Sequence, residues 1–259
     1  MTIDNDTESR RLEKRLNERF VKAMATYHLI EDDDRILVGL SGGKDSLLLL
    51  ELLAKRAKIE HPRFSVEALH VRMENIHYET DTSYLQHFCD DLGVRLHVRT
   101  TRFEVEQTAV PQQPIDTARL RRQKQPCFLC SWMRRKELFN LAQELECNKI
   151  ALGHHQDDIL HTALMNLTFQ GRFGSMPARL KMRKMPLTII RPLCMIEEQD
   201  IKAYAELQGY QKQQKLCPYE NDSHRADIKR LYDEIERMNP EARYSMWNAL
   251  NADNKLIED

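Results

Sequence analysis

Glycine is scarce in this chain, and no apolar segment is long enough to cross a membrane. Only 8 of the 259 residues are glycine, less than half of the roughly 7% that is usual. Unbroken apolar runs reach only four residues, as in Leu47–Leu50, whereas a transmembrane helix needs roughly 20. The first 20 residues are polar and charged, unlike a secretory signal, and hold too many acids for a transit peptide. We therefore expect a cytoplasmic protein with no membrane contact.

Neither sign of charge is in excess, with 39 basic against 40 acidic side chains. This balance argues against a globally basic nucleic-acid binder but leaves room for a local basic stripe. A chain that is 41% hydrophobic and 31% charged is neither collagen-like, nor disordered, nor a small disulfide scaffold. There are six cysteines. Structural disulfides are rare in a reducing compartment, so the clustered pair Cys127 and Cys130 points to metal binding or catalysis.

Strand-like and helix-like segments alternate along the chain, which predicts an α/β fold with a doubly wound parallel sheet. An amphipathic N-terminal helix precedes the sheet at residues 8–28, and a polar helical tail follows it at 223–251. The predicted strands cover 35–39, 65–73, 94–101, 148–153 and 188–193, and the predicted helices among them cover 46–57, 80–93, 127–146, 157–169 and 197–209.

Three units follow from this pattern: an N-terminal helix over residues 1–30, a central domain over 31–210 and a C-terminal segment over 211–259. Residues 102–126 are rich in Pro, Gln and Arg and are predicted to form a long loop, which in a compact domain is often functional. A second predicted loop covers 171–186.

A glycine-rich loop, Gly39–Ser46, lies between the first predicted strand and the next helix. Glycine lets the backbone approach phosphate oxygens closely, and the N–H groups and dipole at a helix start favour an anion. A Walker A loop has four residues between its first glycine and Gly-Lys, and Ser or Thr directly after Lys. Here Asp45 separates Lys44 from Ser46, so a Walker A site is excluded. The alternative is a tight turn that only caps the helix.

Two thiols, Cys127 and Cys130, lie three residues apart at the start of a predicted helix, where the helix dipole lowers a thiol pKa. This spacing suits metal ligation or redox chemistry. A zinc site needs two further ligands at short spacing, and no second CxxC is present, so a thioredoxin-like pair remains open. Cys217 is followed by proline, as some iron–sulfur ligands are.

Two further motifs are predicted at the carboxyl edge of the sheet, where ligands bind in such folds. In the segment Gly153–Asp158, with sequence GHHQDD, paired carboxylates suit Mg²⁺ and phosphates; the alternative is that Asp157 caps the helix and the histidines are incidental. Arg191, in the IRPL segment, is expected to point into the same cleft toward phosphate or substrate, or else to form a structural ion pair. His70 lies near the end of the second predicted strand.

The SGGKDS loop resembles the PP-loop of the ATP pyrophosphatase superfamily, whose members cleave ATP between the α and β phosphates to adenylate a substrate. The resemblance implies a Rossmann-like, HUP-type fold and a pyrophosphate site. It also implies that Lys44 neutralises developing charge, that Asp45 and Asp158 are Mg²⁺ ligands, and that adenine lies near His70. The implied ATP residues are Ser41, Gly42, Gly43, Lys44, Asp45, Ser46, His70 and Gly153, and the implied catalytic residues are Lys44, Asp45, Asp158 and Arg191.

Taken together, SGGKDS, PCFLC, GHHQDD, IRPL and the later Cys-Pro closely resemble the TtcA family over roughly residues 15–225. That family converts cytidine to 2-thiocytidine at position 32 of the tRNA anticodon loop, through an adenylated base. The resemblance implies a [4Fe–4S] cluster on Cys127, Cys130 and Cys217, with one iron left open for the sulfur donor. A second CxxC at the later site is absent, because Glu220 stands three residues after Cys217.

The resemblance also implies tRNA as a partner, a cysteine desulfurase as sulfur source and a homodimer. Basic residues beside the cysteine motif, and in the 171–186 loop, are expected to neutralise tRNA phosphates, although a basic run is often only a solvated face. These residues are Arg121, Arg122, Lys124, Arg134, Arg135, Lys181 and Arg183. The alternatives are another PP-loop tRNA-modifying enzyme, forming thiouridine or lysidine, and a nucleotide- or RNA-binding module without catalysis.

Overall fold

A computed structural model describes residues 2–74, 82–102, 126–211 and 224–259, with side chains from residue 7 and, after the second gap, from residue 128. The described helices are α1 (Thr2–Tyr27), α2 (Lys44–Ala57), α3 (Thr82–Leu92), α4 (Pro126–Glu144), α5 (Gln156–Gln170), α6 (Glu198–Leu207), α7 (Arg225–Met238) and α8 (Ala242–Ala252). The described strands are β1 (Arg35–Gly39), β2 (Ser65–Met73), β3 (Arg95–Thr101), β4 (Lys149–Ala151), β5 (Arg179–Lys181), β6 (Thr188–Ile190) and β7 (Ile257–Glu258).

The strands form one sheet in the order β3-β2-β1-β4-β6-β5-β7. The strands β3, β2, β1, β4 and β6 are parallel, as the alternation of strands and helices predicted. Strand β5 is antiparallel to β6, and β7 extends the sheet beyond β5. The prediction of a loop throughout 171–186 was therefore wrong at Arg179–Lys181. The three residues gain strand structure only by pairing with β6.

Side chains of β1 alternate between two hydrophobic clusters, because successive residues of a strand face opposite sides of the sheet. Ile36 and Val38 belong to the larger cluster, which includes residues of α1, α2, α3, α5 and α6. Leu37 belongs to the smaller cluster, against α4. Burial on both faces explains why this strand reads as a continuous apolar run.

Helix α1 packs into the larger cluster through Leu16 and Phe20, which are fully buried. Two ion pairs fix it to the start of α6: Arg15 donates to both carboxylate oxygens of Asp200, at 3.1 and 2.6 Å, and Arg19 donates to Glu197 at 2.8 Å. The predicted amphipathic helix is confirmed, and it shares its core with the sheet domain.

The C-terminal helices pack on the same body. Tyr232 of α7 is buried and meets His161 of α5 edge to face, with ring centroids 4.9 Å apart. Trp247 of α8 packs against Tyr27 of α1 at 6.5 Å. The predicted helical tail is thus two helices that complete the fold. Across the described ranges, no helix has the length and hydropathy to span a membrane.

Candidate active site

The glycine-rich loop joins the end of β1 to the start of α2. Gly42 has a φ of 82°, in the left-handed region that glycine tolerates best, and Gly43 is the N-cap of α2. The carbonyl of Gly43 accepts the backbone N–H of Ser46 at 3.0 Å and its hydroxyl at 2.9 Å. The first turn of a helix leaves N–H groups without intrahelical partners, so the loop presents donors to an anion.

Polar side chains of the loop converge on its mouth. The Oγ atoms of Ser41 and Ser46 lie 3.1 Å apart. Lys44 Nζ lies 3.0 Å from Asp45 Oδ1 and 3.4 Å from Glu198 Oε1. The loop therefore combines two hydroxyls, one ammonium group and one carboxylate in a small volume.

Gly153 brings the end of β4 against this loop. A Cβ atom at position 153 would lie 3.1 Å from the backbone C and O of Asp45 and from the N of Ser46, a spacing that real Cβ contacts rarely reach. Only glycine lets the GHHQDD segment approach the loop this closely. The structure thus brings together the two motifs that the sequence placed at one sheet edge.

His155 lies between the two carboxylates predicted to bind Mg²⁺. Its Nε2 is 3.9 Å from Asp45 Oδ1 and 3.4 Å from Asp158 Oδ2. Burial opposes charge on the ring, but a hydrogen bond with Asp157 and the charges of Asp158 and Asp45 outweigh it and raise the pKa of His155. The backbone N–H of His155 donates to Asp158 Oδ2 at 3.1 Å, which holds that carboxylate at the helix start.

Among the described residues, no group of three or more His, Cys, Asp or Glu side chains is arranged as a metal site. Mg²⁺ in nucleotide sites is commonly held by one or two protein carboxylates together with phosphate oxygens and water. Asp45 and Asp158, each within 4 Å of the same imidazole nitrogen, fit that smaller requirement.

Asp157 has a different role from its neighbour. Its Oδ2 accepts the backbone N–H of Glu198 at 2.7 Å and so caps α6, and its Oδ1 accepts Nη2 of Arg243 at 2.8 Å. Burial alone would raise the pKa of Asp157, but hydrogen bonds from His155 and Arg243 hold it well below its usual range. Asp157 is thus committed to protein partners, and the expectation that it caps its own helix was wrong.

Arg243 of α8 was missed by the sequence analysis. Besides Asp157, its Nε donates to Glu236 at 2.9 Å, and its guanidinium lies 5.6 Å from the ring centroid of Tyr232. It therefore ties the C-terminal helices to the GHHQDD motif. No local signal reveals it, since Arg243 and Asp157 are 86 positions apart.

Arg191, which is buried, bonds to His154 of this motif, which is partly buried. Arg191 Nε donates to His154 Nδ1 at 3.2 Å, and Arg191 Nη1 donates to the carbonyl of Pro177. Burial, and then the charge of Arg191, lower the pKa of His154 to about 3, so its ring is neutral. Burial lowers the pKa of Arg191 itself to about 10. The structural ion pair considered for Arg191 is absent from the described ion pairs.

His70 lies directly beneath the phosphate loop. Its Nδ1 donates to the carbonyl of Leu40 at 2.8 Å, and its side chain is fully buried. Nε2 has no hydrogen-bond partner within the described part of the chain. Buried polar atoms are nearly always paired, so this orphaned acceptor fits a ligand with an N–H or amino group.

Of the predicted cluster cysteines, Cys130 has a described side chain. It is partly buried and packs with Leu129 and Met133 against the smaller hydrophobic cluster. Leu138 of the same helix touches the position of a Cβ on Gly39, the last residue of β1. Cys130 is eight residues before Leu138, so it lies about 12 Å from Leu138 along the helix axis, toward the start of the helix. This end of the helix is on the loop side of the sheet.

The remaining five cysteines fall into two groups: three lie in the core, and two have no described side chain. Cys89, Cys147 and Cys194 are buried in the core, as expected, and burial raises the pKa of the Cys89 thiol to about 12 and of Cys147 to about 11. The side chain of Cys127 and the whole of Cys217 lie outside the described residues.

The predicted basic residues fall on opposite edges of the sheet. Arg134 and Arg135 lie on α4, one turn after Cys130, and Arg135 is exposed. Lys181 pairs in register with Thr188, at the amino end of β6, and Arg183 follows it, 3.9 Å from Glu258. Lys181 and Arg183 are thus remote from the phosphate loop. The residues Arg121, Arg122 and Lys124 lie outside the described ranges.

The chain matches known proteins over most of its length. A family model described as a PP-loop domain matches residues 9–229. The tRNA-cytidine(32) 2-sulfurtransferase of Bordetella avium is 36% identical over 245 residues, covering 94% of this chain and 74% of that protein. The enzyme of the same name from Pseudomonas putida GB-1 is 33% identical over 242 residues, covering 93% and 84%.

Among solved structures, the U34-tRNA thiolase NcsA from Methanococcus maripaludis, determined with its [4Fe–4S] cluster, superposes with a TM-score of 0.70. It is 24% identical, and the match covers 94% of this chain and 79% of that one. This likeness shows a shared fold. By the identity and coverage of its sequence relatives, the chain belongs to the PP-loop family and, within it, to the tRNA-cytidine(32) 2-sulfurtransferases.

Proposed function

We propose that this protein converts cytidine 32 of tRNA to 2-thiocytidine, using ATP to adenylate the base and a [4Fe–4S] cluster to deliver sulfur. The observation that carries the proposal is the contact between the phosphate loop and the GHHQDD segment at Gly153, in a chain whose relatives carry this activity by name. That contact joins the loop's backbone N–H groups and the carboxylates of Asp45 and Asp158 at one edge of the sheet, which supports a site for ATP and Mg²⁺.

ATP would bind with its β and γ phosphates on the loop Ser41–Ser46. The backbone N–H groups at the start of α2 suit phosphate oxygens. The hydroxyls of Ser41 and Ser46, which here bond to each other and, from Ser46, to the carbonyl of Gly43, would turn toward the bound phosphates. The orphaned Nε2 of His70 fits the amino group of adenine. Lys44 stabilises the charge that develops on the leaving pyrophosphate.

Adenylation forms a bond between the cytosine O2 and the α-phosphorus of ATP. The bond between the α-phosphorus and the pyrophosphate group breaks at the same time. Asp45 and Asp158 would hold Mg²⁺, which neutralises phosphate charge when bound. Arg191 is a buried cation whose Nε donates to the neutral ring of His154 in the GHHQDD segment; we assign it to the α-phosphate. Sulfide then attacks C2 of the cytosine and AMP leaves. Adenylation has thus converted the C2 oxygen, a poor leaving group, into AMP, a good one.

The family resemblance implies an iron–sulfur cluster on three cysteines, and the burial of the other three supports that assignment. Of the six in the chain, Cys89, Cys147 and Cys194 are enclosed in the core and their raised pKa values disfavour thiolate ligands. Cys127, Cys130 and Cys217 remain, and we assign them to the cluster. When bound, such a cluster would hold the sulfide that is transferred to the base. Cys130 lies on the loop side of the sheet, which suits transfer to an adenylated base.

The tRNA would approach over α4. Arg134 and Arg135 stand one turn after Cys130, and the basic segment with Arg121, Arg122 and Lys124 precedes it in the sequence. An anticodon loop presents unstacked bases that can be turned into a protein cleft at modest cost. A cysteine desulfurase as sulfur source, a homodimeric assembly and a cytoplasmic location complete the proposal.

Release of AMP from α-labelled ATP tests the adenylation step. The holoenzyme should release AMP with a tRNA carrying C32 and not with the same tRNA carrying U32. Asp45→Asn should abolish the release seen with the C32 tRNA. Equal AMP release with the U32 tRNA, or with a tRNA in which uridine 34 is the only base available for modification, would reject the cytidine assignment. Either result would favour a different PP-loop enzyme.

A further inference from the structure

Glu198, the first residue of α6, holds three lysine ammonium groups at the mouth of the phosphate loop. Nζ of Lys229 lies 2.8 Å from its Oε2, and Nζ of Lys202 and Lys44 lie 3.1 and 3.4 Å from its Oε1. The lysines come from three elements: Lys44 from the loop helix α2, Lys202 from α6 and Lys229 from the tail helix α7. One carboxylate is therefore shared by three cations.

The position of Glu198 is fixed by the rest of the site. Its backbone N–H donates to Asp157 Oδ2 at 2.7 Å. Three ammonium groups share the carboxylate of Glu198, although Lys44 also contacts Asp45 and the charges of Asp233 and Asp157 also act on Lys229. The side chains of Lys202 and Lys229 are 50% and 46% exposed, so both ammonium groups can turn toward an incoming anion without crossing packed structure.

A polyphosphate satisfies this arrangement better than Glu198 does. A carboxylate offers two oxygens to three ammonium groups, whereas pyrophosphate offers six terminal oxygens and more negative charge, and lysine binds phosphate as a mobile point charge. Without a bound anion, the carboxylate of Glu198 offsets the repulsion among the three ammonium groups.

We infer that Glu198 is an internal counterion that gathers Lys44, Lys202 and Lys229 into a polyphosphate-binding cluster. In this arrangement Lys202 and Lys229 bind the outer phosphates of ATP and the pyrophosphate product, which gives the C-terminal helix α7 a direct part in the nucleotide site. The inference rests on the proposed function, because it takes the loop as the place where the triphosphate binds.

The proposed cluster predicts that substituting Glu198 and substituting one of its lysines have opposite effects on pyrophosphate affinity. Lys229→Met removes a phosphate contact, so pyrophosphate should bind about tenfold more weakly. Glu198→Gln removes the competing charge but keeps the side-chain size, so pyrophosphate should bind about two- to fivefold more tightly and leave more slowly. If Glu198 only supported the fold, both substitutions would weaken binding.

Calorimetric titration of the full chain with magnesium pyrophosphate, and separately with magnesium ATP and with AMP, measures these effects. AMP lacks the outer phosphates, so its affinity should change less than twofold in either variant. Lys14→Met is the matched control, because Lys14 is 78% exposed and pairs only with Glu18 in the described ion pairs; it should match the wild type. Unchanged pyrophosphate affinity in Lys229→Met, or weaker binding in Glu198→Gln, would overturn the inference while the wild type still binds ATP. A wild type that binds neither ATP nor pyrophosphate would overturn the proposed function itself.

Discussion

Replacing Arg243 by methionine should destabilise the whole fold, because this one side chain joins the GHHQDD motif to the C-terminal helices. The change removes the 2.8 Å ion pair with Asp157 and the 2.9 Å hydrogen bond to Glu236. Methionine keeps apolar bulk over the Tyr232 ring. The loss is therefore mainly electrostatic, and it leaves the Asp157 carboxylate with no cation from α8.

The size of the effect follows from burial. The side chains of Arg243 and Asp157 are 20% and 12% exposed. Removing one partner of a buried ion pair costs about 3–5 kcal/mol, and the residual exposure places this pair at the lower end. We expect the free energy of unfolding to fall by about 3 kcal/mol. For a chain of this size that lowers the melting temperature by about 6–12 °C.

The destabilisation should depend on pH in a definite direction. The pKa of Asp157 is held below its usual range in the folded state, so its ion pair contributes stability above the unfolded pKa, about 3.9. That contribution is lost as the pH falls below this value. The difference between wild type and Arg243→Met should therefore be full at pH 7 and shrink below about pH 4.

Urea unfolding followed by circular dichroism measures both quantities. Arg230→Met is the matched control, since Arg230 forms an exposed ion pair with Asp227 on α7, and it should change stability by less than about 0.5 kcal/mol. Asp157→Asn combined with Arg243→Met removes the stranded charge and should cost less than the sum of the single changes. Strict additivity, or a loss in Arg243→Met no larger than in the control, would refute this reasoning.

Three further substitutions test the site itself. Gly153→Ala should raise the KM for ATP by about tenfold, as its Cβ would press on the loop backbone at 3.1 Å; initial rates of AMP formation check this, and Gly174→Ala, with 3.8 Å to the nearest atom, should be normal. Asp158→Asn should abolish Mg²⁺-dependent AMP release but leave the melting temperature within about 2 °C, because the Oδ1 of asparagine can still accept the backbone N–H of His155. Cys130→Ser should remove cluster absorbance near 400 nm and 2-thiocytidine formation, whereas the buried thiol Cys147→Ser should keep both; an unaltered spectrum in Cys130→Ser would contradict the ligand assignment.

Local patterns predicted most of the fold. The β1–loop–α2 unit was predictable because an apolar strand, clustered glycines and an apolar helix are adjacent in sequence, so each element is defined by neighbours. Strand β5 escaped prediction for the opposite reason. It has three residues, and Arg179–Lys181 becomes a strand only beside β6. The same holds for β7, which pairs with β5.

The sequence predicted the residues of the site's motifs but not the residues that hold those motifs in position. The predicted strands indicated that the glycine-rich loop and the GHHQDD segment lie at the same sheet edge, and the family resemblance implied Asp45 and Asp158 as the Mg²⁺ ligands. The separate role of Asp157 depends on Glu198 and Arg243, which are 41 and 86 positions away. Only the packing of α6 and α8 brings these residues to the motif.

The 2-thiocytidine content of tRNA tests the central proposal most directly. Cells that have lost their own 2-thiocytidine-forming gene would carry this chain, or its Cys130→Ser variant, and digested tRNA would be analysed by nucleoside mass spectrometry. We expect the wild-type chain to restore 2-thiocytidine, the variant to restore none, and other thionucleosides to stay unchanged in both. Absence of 2-thiocytidine with the stably expressed wild-type chain, or its presence with Cys130→Ser, would contradict the account.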